Sequence, residues 1–339
     1  DDPLIDDQWY LSLIRGFDAW AEPPALDPVI VAVIDSGLDG DHPEFLDRVE
    51  EARSFVSSSA LDDSLGHGTM VAGEIAAATN NAEGIAGLGL NARLLIAKVV
   101  DGDGSIPLEA EVKAIRWAVD RGARVINLSL GGHRDPNDPI RDTFSRLEAA
   151  AVRYAIANDV VVVAATGNCE IRCPHRYASY PAALPHVVGV SAIRANSTVP
   201  RFSNRDRRYN DLAAPGAGIV SAFPLALSEP NCIPAGYSLC APGDYRGGRG
   251  TSFSAPLVSA TAALLVALRP DLSQGQVSAV LRGSAADISR TGRDAKTGFG
   301  RLDVAAAIAA LEQSVADKQA QIAAQRDENV AKVQEAEGE

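Results

Sequence analysis

A chain of 339 residues, 46% hydrophobic and 22% charged, can form one large α/β domain or two ordinary ones, and its balance excludes a disordered or fibrous polymer. Acidic residues outnumber basic ones 44 to 31, and the resulting net charge of −13 disfavours nucleic acid and anionic membranes and favours cationic partners, metal ions included. No run reaches the roughly 18 to 20 uninterrupted apolar residues of a membrane span, and Asp1 opens a polar segment without a signal-peptide pattern, so a mature soluble chain is expected.

Short β-branched runs bounded by turn residues predict buried strands at Val29 to Ile34, Leu94 to Val100, Val125 to Leu130, Val160 to Ala165 and Val187 to Val190. Helical spacing fills the intervals Thr69 to Ala78, Leu108 to Arg121 and Thr143 to Asn158, each long enough to cross back over a parallel sheet. This alternation predicts a three-layer α/β fold, a mostly parallel twisted sheet with helices on both faces. After residue 250 helices take over. Ser252 to Leu268 is almost entirely apolar or small and is expected to be buried all round. Ser273 and Gln276 have capping-box spacing ahead of the next helix, and a last one runs from Val304 to Leu311. Residues 312–339 carry seven acidic and three basic side chains and no aromatic, and are read as a polar helical tail or linker beyond a domain of residues 1–311. Leu311, Val315 and Ile322 offer a coiled-coil alternative there.

The four cysteines fall in two local pairs, Cys169 with Cys173 and Cys232 with Cys240. Two disulfides, and hence an oxidising compartment, are the favoured reading; half a zinc site near His175 and free thiols are the alternatives.

Four polar residues stand where chemistry is placed. Asp35 ends the apolar run VIVAVI, at the carboxyl end of a strand where open α/β sheets build sites, although it could equally cap a loop. His67 opens a helix of small residues, a position where a histidine is more often structural, because a helix N-terminus favours an anion over an imidazolium. Ser252 follows Gly250 and Thr251 at the mouth of the apolar helix; it could be a plain N-cap, or a nucleophile beside N–H groups able to hold an oxyanion. Asn168, after the strand and Gly167, could donate to developing negative charge or merely satisfy its loop. Together they supply what acyl transfer needs: a hydroxyl, an imidazole to take its proton, a carboxylate to fix the imidazole, and an oxyanion donor.

The segments VAVIDSG, HGTMVAG and GTSFSAP, in that order, together with AATGN, resemble the aspartate, histidine, serine and asparagine motifs of the subtilisin-like serine proteases, from about Asp2 to Leu311. The resemblance implies Ser252 as nucleophile, His67 as general base and acid, Asp35 as orienting carboxylate and Asn168 as oxyanion donor. It implies an extended peptide substrate pairing with Ser129, Leu130 and Gly131 and with Gly104, Ser105 and Ile106. A primary pocket walled by Ala165, Thr166 and Gly167 with Ser179 near its floor would have room for a large apolar side chain. Cys169 stands where relatives often carry a polar residue, and the Asn231 to Cys240 loop is an insertion relative to the shortest relatives. The expected protein is a secreted, monomeric endopeptidase of broad specificity, made with a pro-segment. A peptide ligase on the same scaffold and a non-catalytic binding module are the competing expectations.

ATNNAEGIAG resembles the family's calcium loop. The resemblance implies backbone oxygens from Ala78, Glu83 and Ile85, the side chain of Asn81, and carboxylates from Glu44 and Asp2 around a structural calcium ion. The plain alternative is a polar turn with two surface acids.

Overall fold

The computed structural model describes residues 1–20, 26–133, 144–169, 178–224, 226–227, 244–313, 321 and 325. Its strands are β1 (Val29–Asp35), β2 (Val49–Ser54), β3 (Ala92–Lys98), β4 (Val125–Leu128), β5 (Gly132–His133) and β6 (Val161–Ala165). They continue with β7 (Ser179–Tyr180), β8 (Val188–Ile193), β9 (Leu212–Pro215), β10 (Ala217–Ala222) and β11 (Tyr245–Arg249). The helices are α1 (Trp9–Leu13), α2 (Gly16–Trp20), α3 (His67–Ala76), α4 (Leu108–Asp120), α5 (Arg146–Ala157), α6 (Ala255–Leu268), α7 (Gln274–Gly283) and α8 (Val304–Gln313).

Seven strands make one sheet in the order β2-β3-β1-β4-β6-β8-β9, with every neighbour parallel. β10 and β11 pair antiparallel apart from it, as do the two-residue strands β5 and β7. Alternation along β1 serves both faces. Val31 and Val33 join the core built on α1, α3 and α6, and Ala32 and Ile34 join the core beneath α4 and α5. The expected three layers follow, and both faces of the central strands are buried. β2, of sequence VEEARS, is half-exposed at the sheet edge, where charge discourages further pairing, so no apolar run marks it.

From Ala255 to Val266 every residue of α6 is buried, as expected of a helix with no polar face. With the 3₁₀ turn Thr251–Phe253 it forms an 18-residue apolar stretch of mean hydropathy 1.7, long and apolar enough to cross a membrane by length and composition. In the fold 89% of that stretch is buried, so it is a core helix; Ser and Thr dilute it too little to break the apolar character. The helix also begins later than predicted: Ser254, not Ser252, precedes it, and Ser252 occupies the preceding turn. The capping box of α7 is present as predicted, with Ser273 Oγ accepting from Gln276 N–H and Gln276 Oε1 accepting from Ser273 N–H. Leu311 is buried on α8. Nearly all of the predicted tail and the whole 231–240 loop lie outside the described residues.

Candidate active site

The chain leaves β1 after crossing between β3 and β4, and Asp35 is its last residue there, at the carboxyl edge where the strand order changes direction. α3 arrives end-on at this edge. Gly68 lets it come so close that a Cβ would lie 2.2 Å from the Gly37 carbonyl oxygen. His67, the first residue of α3, then places Nδ1 2.7 Å from Asp35 Oδ1. Asp35 is buried and the His67 side chain is 29% exposed, so the ring bridges interior and cleft. An ionised carboxylate only accepts, so Nδ1 carries the proton and Nε2 presents a lone pair outward. Burial alone would lower the His67 pKa, but the charge and hydrogen bond of Asp35, aided by the more distant Asp63, reverse this and hold it above the ordinary histidine value.

The His67 ring packs 5.5 Å, centroid to centroid, from Phe253, the neighbour of Ser252, which brings the 3₁₀ turn against the imidazole. Among the described residues no hydrogen bond joins Ser252 Oγ to His67, and the serine is partly exposed. Such bonds are commonly long before substrate arrives. Asn168 is anchored by its oxygen: Oδ1 accepts from Thr251 N–H at 2.9 Å and Thr251 Oγ1 at 3.1 Å. The backbone N–H can only donate, which fixes the amide orientation and leaves Nδ2 for another acceptor. A Cβ at Gly250, whose φ is +154°, would lie 3.1 Å from Asn168 Nδ2 and 3.7 Å from Ser252 N. Any other residue at 250 would therefore crowd both nitrogens.

Several supporting residues escaped the sequence reading. Asp63 Oδ1 accepts from Gly66 N–H and Ser36 Oγ, and Oδ2 from Thr69 N–H and Thr69 Oγ1, so one buried carboxylate caps α3 and ties it to the turn after Asp35. Its position four residues before His67, ahead of a helix start, was the available signal. Ser259 Oγ donates to Asn127 Oδ1, Asn127 Nδ2 to Ser129 Oγ, and Ser129 Oγ to the Ser252 carbonyl at 2.7 Å. This buried relay fixes the backbone of Ser252, and a polar Asn127 inside the apolar run VINL was its mark. Lys98, also buried, donates from Nζ to the carbonyls of Ser36 and Asp62.

Of the residues expected to line a peptide cleft, Ser129 is buried beside Ser252, Leu130 is half-buried, and Gly131 is exposed. Gly104 and Ser105 are exposed in a turn closed by Gly104 N–H to the Asp101 carbonyl and Asp101 N–H to the Ser105 carbonyl, and Ile106 is half-buried. Ala165 ends β6, and Thr166 follows it beside Gly167, whose N–H donates to Thr251 Oγ1 at 3.0 Å. Thr166 is buried: its hydroxyl and N–H both donate to the Val190 carbonyl, and its own carbonyl accepts from Asn204 Nδ2. Ser179 lies buried in β7, and no described hydrogen bond joins it to Ala165, Thr166 or Gly167. Cys169 is held in a disulfide; Cys173, Cys232 and Cys240 lie outside the described residues.

Asp2 and Glu44 are both buried and both meet the 78–85 loop. Asn80 and Asn81 N–H donate to Asp2 Oδ2 and Oδ1, Ile85 N–H and the Tyr245 hydroxyl to Glu44 Oε1, and Asn81 Nδ2 to Glu44 Oε2. Asn81 Oδ1 accepts from Glu83 N–H, and Ala78 N–H donates to the Glu44 carbonyl. Tyr245 was not foreseen. Burial pushes the Glu44 carboxyl up, against the pull of the Ile85, Tyr245 and Asn81 donors and of His42. Lone pairs remain on both Asp2 oxygens and on Glu44 Oε2, donors that suit a hard cation, whereas Asn81 turns its Nδ2 to Glu44 and its Oδ1 to Glu83 N–H. Among the described residues, no cluster of three or more His, Cys, Asp or Glu side chains could hold a metal by itself.

A sequence profile described as the subtilase family matches residues 27–300. Subtilisin E of Bacillus subtilis (strain 168) is 34% identical over 259 residues, which cover 76% of this chain and 60% of that protein. The major intracellular serine protease of the same organism is 33% identical over 296 residues, covering 83% of this chain and 84% of that one. The matched part thus spans about 60% of the length of subtilisin E. A solved structure described as that of a lanthipeptide protease superposes with a TM-score of 0.75 at 26% identity, covering 92% of this chain and 96% of that one.

Proposed function

The chain belongs to the subtilase family, and from that premise we propose that it is a secreted serine endopeptidase working through an acyl-enzyme. The observation that carries the reading is the 2.7 Å contact of His67 Nδ1 with Asp35 Oδ1 on a ring that leans on the turn bearing Ser252. As a peptide carbonyl settles over Ser252, His67 Nε2 takes the hydroxyl proton and Oγ bonds to the carbonyl carbon. The oxyanion is received by Asn168 Nδ2–H and Ser252 N–H, donors fixed before the reaction begins. Collapse breaks the C–N bond, and His67 returns the proton to the leaving amine. Water then repeats the sequence to free the acid and restore Ser252. The substrate lies extended along Ser129 to Gly131 and Gly104 to Ile106, so main-chain bonds carry affinity and specificity is broad. The small backbone wall of Ala165, Thr166 and Gly167 admits a large apolar residue at the cut. Secretion rests on the disulfide at Cys169, whose nearest sequence partner is Cys173, with Cys232 and Cys240 as the second pair. A serine-directed phosphonate is expected to form one covalent adduct, at Ser252, and to abolish casein cleavage; folded protein that takes up no adduct and leaves casein intact would sink the reading.

The same proposal places a calcium ion between Asp2, Glu44, Asn81 and the carbonyls of Ala78, Glu83 and Ile85. Calcium there supplies positive charge that binds the N-terminal segment to the loop following α3. Adding excess chelator is therefore expected to lower the thermal unfolding midpoint by several degrees or more, roughly what losing a ligand worth a few kcal/mol produces. A midpoint that ignores chelator removes the ion from the account.

A further inference from the structure

Beside the cleft lies a pocket of about 360 Å³ whose rim includes Ile106 and Leu130, one residue from each segment assigned to the peptide. Phe144 and Tyr180 form an aromatic wall, their rings 5.1 Å apart edge to face. The floor is unlike that wall. Glu111 of α4 and Glu148 of α5 line it, 6% and 4% exposed, and hydrogen-bond to one another. Glu111 Oε1 and Glu148 Oε2 are buried without any hydrogen-bond partner among the described residues. Two carboxyls between otherwise apolar helix faces are costly to keep, and a leucine or isoleucine at either place would pack without that cost.

We propose that Glu111 and Glu148 form a subsite for a cationic side chain of the peptide substrate, Lys or Arg, and so set a specificity that the primary pocket does not. This rests on the endopeptidase reading above. The apolar rim covers the methylene stem of such a side chain, the aromatic wall offers its π-faces to the charge, and a rotation of the two carboxyls turns their shielded, unpartnered oxygens into the pocket to accept its N–H groups. Burial raises both carboxyls, and the charge of Glu111 raises Glu148 further, so the empty pair retains a proton that an arriving ammonium displaces to solvent. Ser129 touches the Ser252 carbonyl, and the pocket's Gly132 lies three residues further on, about 10 Å at the rise of an extended chain. The cation therefore sits about three residues from the scissile bond.

The test uses the whole chain and internally quenched peptides carrying Lys or its uncharged counterpart norleucine at each position about five residues to either side of the cut. At one position kcat/KM is expected to favour Lys by about tenfold or more, the gain from one buried charge-assisted hydrogen bond. In the Glu111→Gln, Glu148→Gln double variant that ratio falls to about 1. The same peptides bound to Ser252→Ala protein, followed by fluorescence anisotropy, are expected to show the same preference without turnover. Equal use of Lys and norleucine at every position overturns the subsite whether or not the double variant folds, and so does a Lys preference that survives both substitutions. Wild-type protein that cuts no peptide while Ser252→Ala protein still selects Lys would defeat the protease reading and leave the subsite standing.

Discussion

Replacing Ser252 with Ala is expected to lower casein cleavage about a million-fold, the loss found when the nucleophile of a subtilisin is removed. Without the hydroxyl His67 has no proton to take and no acyl-enzyme can form, while the donors at Asn168 and residue 252 still hold an oxyanion, so a small residual rate persists. The fold should not notice. Ser252 Oγ makes no hydrogen bond among the described residues, and what positions residue 252 is its carbonyl, held by Ser129 Oγ. The unfolding midpoint of the variant should match wild type, as an uncoupled, partly exposed substitution does. Initial rates on casein beside a melting curve decide the matter: cleavage within about a hundredfold of wild type in a well-folded variant would move the chemistry away from Ser252.

Asp35→Asn should cost up to about 10⁴-fold in kcat, the scale of losing the carboxylate itself, and also shift the pH profile. Asp35 Oδ1 accepts from both His67 Nδ1 and Ser36 N–H at 2.7 Å each, whereas Oδ2 is buried with no partner. An asparagine keeping its oxygen towards those two donors preserves the ring's tautomer, so what it chiefly removes is charge. That charge is needed because His67 becomes positive in the transition state. The sign of the pH effect follows. His67 must be neutral to act, and in the wild type Asp35 raises its pKa, so activity appears only as pH rises through a value above about 6.5. Removing the negative charge leaves burial as the dominant influence, and the acid limb of kcat/KM should move below that value. The protonated His67–Asp35 pair conversely adds stability below about pH 6.5 that is lost as pH climbs through the raised pKa. An acid limb that stays in place in Asp35→Asn would show that another group sets the His67 proton.

The sheet and the site were not equally legible in the chain. Strands that are apolar throughout, such as VIVAVI, announce themselves, but β2 is half charged because it lies at an edge, and β9, LAAP, is too short and too rich in small residues to give a period. Alternation marks a strand, yet nothing local in AGIVSA or YRGGR says that β10 and β11 pair with each other outside the main sheet. The residues proposed to react could be picked out because acyl transfer demands fixed residue types at strand ends and helix starts. Their supports could not: the grip of Asp63 on Thr69, of Thr251 on Asn168 and of Tyr245 on Glu44 depends on tertiary approach. Glu111 and Glu148 were the least visible. Each looks like one more solvated helix charge in its own segment, and only the packing of α4 against α5 brings them together beneath a pocket.

The threading of α6 has a consequence in time. Asp35 and His67 leave the ribosome early, but the turn bearing Ser252 comes from the last third of the chain, and its helix packs against β1, β4 and β6, strands made long before it. On the proposed chemistry, a nascent polypeptide holds two of the three reacting groups for most of its synthesis, and the third arrives joined to the helix that packs between those strands and α3. Assembly of the proposed triad is thereby tied to the seating of α6 in the core, which α7 and α8 then complete with Val277, Leu281, Val304 and Leu311.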